Sequence, residues 1–98
     1  MDKKLQALVD LKKITYEMER ELGLSDLPEP QKLSFLAAID LQRQSGGIST
    51  SDLRNHLLLE DMPRPTFFRA INALEAAGKL FRPVNAVRGY FSLQEPND

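Results

Sequence analysis

The sequence contains no cysteine. That excludes disulfides, a thiolate zinc site and a cysteine nucleophile. It contains one histidine, His56, too few imidazoles for a histidine-based metal cluster. No apolar run approaches the ~20 residues that a membrane-spanning helix needs. The opening MDKKLQALVD carries charges throughout, unlike a signal peptide. There is no GxSxG, no HExxH and no glycine-rich loop ahead of a helix. The neighbouring acids Asp52, Glu60 and Asp61 lack a histidine or cysteine partner beyond His56. His56 itself reads as a surface or half-buried histidine. The expectation is a non-enzymatic, cytoplasmic protein with no metal and no cofactor.

What is present fits one ordinary domain. The chain has 98 residues, 42% hydrophobic and 28% charged, which allows one modest core. A formal net charge of -1 argues against strong non-specific binding to a polyanion. The charge is unevenly spread, however. Residues 62–94 hold Arg64, Arg69, Lys79, Arg82 and Arg88 against Glu75 alone. Acids are in excess over residues 1–30 and 31–61. Chance segregation in a small protein is the plain alternative to a basic binding surface.

Residues 2–22 contain neither glycine nor proline and are predicted helical. Ala7, Leu8, Leu11, Ile14, Met18 and Leu22 make a broad apolar stripe. Leu5, Val9 and Tyr16 make a narrower one on roughly the opposite side. A helix resting on its own domain needs one stripe. Two stripes suit a helix sandwiched between its own domain and a second copy, or else some apolar residues are simply exposed. The expected dimerisation residues are therefore Leu5, Leu8, Val9, Leu11, Ile14, Tyr16 and Met18. Gly23 ends the helix. After LSDLPEP, a second helix is predicted over 30–44, with Leu33, Leu36, Ala37 and Leu41 inward.

Ser45-Gly46-Gly47 is a break. A helix follows from Ile48 to about Leu58, with Ser49 as its cap and Asp52 in a capping-box position. The next stretch, PRPTFFRAINALEAAGK, has two faces at about 100° per residue. Phe67, Ala70, Ile71, Leu74 and Ala77 fall on one side. Pro65, Phe68, Arg69, Asn72 and Ala76 fall on the other. A merely solvated face would carry Glu and Lys pairs; this one does not. Gly78 ends the helix. Residues 80–84 and 90–93 are short and β-prone, and predict a hairpin closed by the five residues 85–89. Pro83 confines its first strand to an edge.

Two short helices joined by a brief turn, the second with an unusual outer face, make a helix-turn-helix pattern. The stretch from Ile48 to Leu93 resembles the DNA-binding core of MarR-type bacterial transcriptional regulators. ISTSDLRNHL is similar to their capped first helix, PTFFRAINALEAAGKL to the recognition helix with its Leu-Glu-x-x-Gly ending, and RGYFSL to the return strand of the wing. The resemblance implies a winged helix-turn-helix. MarR-type proteins carry further helices after the wing. Here none follows, so the N-terminal helix is the expected dimerisation element and a small-molecule effector is not expected.

In such a fold the second helix lies in the major groove. Arg69 would pair with guanine or hold a phosphate, or else bond Glu75 or a neighbouring helix. Asn72 would pair with adenine, or be plain surface. Phe68 would touch a thymine methyl or pack against the wing. Arg64, Pro65 and Thr66 would bring the helix start to phosphates. Arg82 is expected on phosphate. The resemblance implies that Arg88 enters the minor groove or touches phosphate. The expectation is thus a mainly α chain with a small β-hairpin (α+β), a winged helix-turn-helix with an additional N-terminal helix. Residues 1–24 would dimerise, 25–94 would bind double-stranded DNA, and 95–98 would form a frayed tail. The alternative is a winged-helix module for protein–protein contact within a larger assembly.

Overall fold

The helix ends are written locally. The computed structural model describes residues 2–83 and 89–94. Helix α1 spans Lys3–Glu21. Asp2 caps it by accepting the Lys4 N–H at 2.9 Å, which satisfies a donor that helix geometry leaves open. At the other end Gly23 takes a φ of 74°. The Gly23 N–H then reaches the Arg20 carbonyl at 3.1 Å and the Leu24 N–H reaches Glu19 at 2.7 Å. This pair of bonds is the left-handed helix stop that glycine favours. It turns the chain so that Leu24 is buried.

Helix α2 spans Glu29–Ser45. Strand β1 is Ile48–Ser49, helix α3 is Thr50–Arg54, and a 3-10 turn covers Leu57–Leu59. Helix α4 spans Arg64–Ala76, and strand β2 is Tyr90–Phe91. The chain is mainly helical with a small antiparallel sheet, as its pattern suggests.

Two local expectations need correction. The single helix expected over 48–58 is a strand, a five-residue helix and a 3-10 turn. Ile48 is β-branched and fully buried, and it pairs with Phe91, also buried. Ser49 pairs with Tyr90 and also caps α3, accepting the Asp52 N–H at 3.0 Å. The imidazole of His56 then starts the 3-10 turn by accepting the Leu58 N–H at 3.1 Å. The hairpin also differs from the one expected over 80–84 and 90–93. Among the described residues Phe81 bridges Ser92, with reciprocal bonds of 2.8 and 2.7 Å, while β2 takes β1 as its ladder partner. Residues 84–88 and 95–98 lie outside the described residues. So do parts of the expected loop and the whole expected tail.

The core forms where α4 meets α2. Phe67, Ala70, Ile71 and Leu74 are the buried residues of α4; Ser34, Ala37 and Ala38 are those of α2. Small residues on α2 let the two backbones approach and leave room for Phe67 and Ile71. Ile48, Leu53, Leu59, Leu80 and Phe91 complete the cluster. Ala77, expected on this stripe, is exposed, because the helix has already ended and Ala77 is its C-cap.

Helix α1 departs most from expectation. Its broad stripe does not rest on its own domain, since no residue of α1 is buried. Leu8 is 53% exposed, Leu11 61% and Leu22 68%. After the turn at Gly23, α1 projects from the body, and the molecule measures 54 × 26 × 25 Å. Its base is tied by Glu19, which bonds Lys32 of α2 at 3.0 Å. Glu29 stands 3.6 Å from the same ammonium.

Two of these side chains lead to measurable effects on stability. The Ser34 hydroxyl is fully buried and has no partner among the described residues. A desolvated, unbonded hydroxyl costs free energy. Ser34→Ala is expected to raise stability by about 1 kcal/mol in urea unfolding; an equal loss would mean that the hydroxyl is bonded. The hydrogen bond that Lys32 donates to Glu19 raises the Lys32 pKa above its ordinary value, against an opposing effect of burial. A raised folded-state pKa stabilises below the unfolded value and loses that contribution as pH rises through the folded value. Wild-type stability should therefore fall more steeply than that of Glu19→Gln on going from neutral pH into the strongly alkaline range. Parallel pH profiles would show that the pair contributes nothing.

Candidate nucleic-acid interface

Because α4 buries Phe67, Ala70, Ile71 and Leu74, helical geometry turns Arg64, Pro65, Phe68, Arg69 and Asn72 outward, and all five are exposed. Thr66 is half-buried at their edge. Phe68 stands edge-on to Phe67 with centroids 5.0 Å apart. The Arg64 guanidinium lies over the Phe68 ring at 5.4 Å. Phe68 is thereby held in place while 37% of it remains open to solvent. Arg69 makes a long contact of 3.4 Å from Nε to the Pro65 carbonyl. Among the described residues neither Arg64 nor Arg69 has a carboxylate partner.

The start of α4 differs from that of α2 in one informative way. Both begin Pro-x-Pro, and neither has a side-chain cap. In α2 the middle residue is Glu29, which suits the positive end of a helix dipole; in α4 it is Arg64. The first turn of α4 therefore adds a cation to an already positive end. A shallow cleft beside it is lined by Pro28, Pro30, Gln31, Thr66, Arg69 and Ala70. Gln31 is not legible as a site residue in the sequence, because its place beside Arg69 comes from the crossing of α2 and α4.

Supporting contacts fix this helix. Arg54 of α3 donates from Nη1 to the Met62 carbonyl at 3.1 Å and lies over the Phe67 ring at 5.2 Å. That clamps the turn ahead of α4. His56 accepts at Nδ1, so its Nε2 carries the proton and donates to Asp40 of α2 at 2.7 Å. His56 is thus a half-buried structural tie. The Thr50 N–H and hydroxyl both donate to the Gly89 carbonyl, at 2.7 and 3.0 Å. The chain leading into β2 is anchored on the first turn of α3.

Arg82 has a carboxylate partner in the same chain. Its Nε and Nη2 bond the two oxygens of Glu75 at 2.9 and 3.0 Å. The hydrogen bond to Glu75 raises its pKa, against a smaller effect of burial. Its guanidinium also lies over Phe91 at 5.3 Å. Arg82, expected on phosphate, here joins the end of α4 to β2 while 61% of its side chain stays exposed. The fork geometry of guanidinium and carboxylate explains the preference. Among the described residues Arg69 forms no ion pair with Glu75, whose two oxygens bond Arg82. Arg88 lies outside the described residues. Among the described residues no three metal-ligating side chains cluster, and no helix is long and apolar enough to cross a membrane.

In comparisons with known proteins no family model matches the chain, and no curated protein or solved structure matches it. The function of this surface therefore has to be read from its own chemistry. A double-mutant cycle on Glu75→Gln and Arg82→Gln should give a coupling of about 0.5–1 kcal/mol in unfolding, the upper part of the range for exposed pairs because two bonds form. A coupling near zero would remove Arg82 as a brace.

Proposed function

We propose that the chain is a winged helix-turn-helix protein that binds double-stranded DNA sequence-specifically and regulates transcription as a homodimer. The observation that carries this is the open side of α4, where two guanidinium groups with no carboxylate partner among the described residues stand together with a carboxamide and an aromatic ring. A 13-residue helix seated on a sheet and a second helix is a rigid rod that a major groove admits. In this reading Arg69 pairs bidentately with guanine. Asn72 pairs with adenine, and Phe68 meets a thymine methyl. Arg64 and the uncapped N–H groups beside it hold phosphate, which explains a cation in that first turn. Arg82 stays on Glu75 and shapes the support. The apolar, unburied α1 supplies the dimer contact, through Leu8, Leu11, Ile14 and Met18.

A second reading, a module for protein–protein contact, draws on the 3-10 turn. Leu57 there is 78% exposed and Leu58 is 41% exposed. They border an apolar cleft with Leu33, Met62 and Pro63. The two readings part on salt and on sequence.

Selection of bound fragments from a genomic library should yield a discrete site, and affinity for it should fall steeply with salt as phosphate neutralisation requires. Arg69→Ala should cost about 1–3 kcal/mol on that site, whereas Arg82→Gln should change affinity little. No duplex retained at low salt, or equal loss from both variants, would favour the second reading.

A further inference from the structure

The charges of α1 are ordered along its length, and their order bears on how the homodimer proposed above is built. Residues 2–13 hold Lys3, Lys4, Lys12 and Lys13 against Asp2 and Asp10. Residues 14–21 hold Glu17, Glu19 and Glu21 against Arg20. The basic half is at the N-terminus and the acidic half at the C-terminus. This opposes the helix dipole, which favours acids first and bases last. Beyond the Asp2 cap and Arg20 in the last turn, the charges do not follow the dipole, and no acid occupies the first turn. Stability of the isolated helix therefore does not account for the order. A neighbour that presents the reverse order does, and a second copy of α1 running the other way is such a neighbour.

We infer that two copies of α1 pair antiparallel, an arrangement that rests on the homodimer of the proposed function. The heptad fits. Lys4, Leu11 and Met18 recur every seven residues, as do Ala7, Ile14 and Glu21, and the two sets alternate at spacings of three and four. In an antiparallel pair each set faces the other. Leu11 then meets the partner's Ile14, and Ala7 meets the partner's Met18. At each end Lys4 meets the partner's Glu21. All of these positions are exposed in the single chain. A parallel pair would instead stack Lys4 on Lys4 and Glu21 on Glu21, which repels at both ends. Leu8 and Leu22 flank the same seam. A like-charged approach, Asp10 with the partner's Glu17, lies at the solvent edge, where salt screens it. The pairing sends the two bodies to opposite ends of a helix pair about 28 Å long.

Orientation and association can be read separately in the full chain. No native cysteine interferes, and α1 has no buried residue, so changes on it leave the core intact. Sedimentation equilibrium gives the dimer constant. Disulfide formation between Ala7→Cys and Met18→Cys chains gives the direction. The expected result is a cross-link in the mixture and none with either variant alone. Lys4→Glu should weaken the dimer several-fold, and Lys4→Glu with Glu21→Lys should restore it. A dimer in which Ala7→Cys cross-links alone, or in which Lys4→Glu changes nothing, overturns the antiparallel pairing and leaves the dimer standing. A monomer at every concentration overturns both. Neither result bears on whether α4 binds DNA.

Discussion

The close contact between α2 and α4 governs this molecule. Ser34, Ala37 and Ala38 are small enough for α4 to settle against them, and Phe67, Ile71 and Leu74 fill the space between the helices and the sheet. Every other feature of α4 follows from that contact. With four positions facing inward at helical spacing, the positions between them must face outward. Phe68 is the visible consequence: its neighbour Phe67 is wholly buried while its own ring is partly open and lies under Arg64. An outward surface of this kind thus costs the fold little, because the side that holds the helix in place is a different side.

Several polar ties keep the contact from sliding. His56 to Asp40, Arg54 to Met62 and Arg82 to Glu75 each join α4 or its preceding turn to another element. They sit around the rim of the core rather than in it. Such partly exposed pairs add modestly to stability, so their value here is in setting direction. The sheet acts in the same way. Ile48 and Phe91 pair at the end of the core, and Thr50 fastens to Gly89, so the segments before α3 and after α4 are joined. Helix α1 stands apart from all this. It is fixed to the body at its base and presents its apolar side chains to solvent along its whole length.

The helices are legible in the sequence because their signals are local. Ser49, Gly23 and Gly78 act within four residues of their positions, and each marks a helix end in the structure. The inward stripe of α4 is also plain, since periodicity is a local property too. What cannot be read depends on contacts distant in sequence. Ile48 looks like the start of a helix because Ser49 is a good cap; its role as a strand comes from Phe91, far along the chain. Arg82 looks like a free cation because Glu75 belongs to a different element, and only the turn at Gly78 brings them together. The stripe on α1 resembles a core stripe for the same reason. Amphipathicity shows that a face wants a partner, not whether that partner lies in the same chain. The site residues divide accordingly. Arg64, Phe68, Arg69 and Asn72 are exposed side by side as helical spacing requires, while Gln31 enters through the fold alone.

The central claim is that the open side of α4 meets DNA. Backbone amide spectra of the labelled protein, recorded while a selected duplex is added, test it most directly. The expected outcome is shifts concentrated at Arg64, Phe68, Arg69 and Asn72, with the outer surface of α2 unmoved. Shifts confined to Leu57, Leu58 and their neighbours, or none at all under low salt, would contradict it.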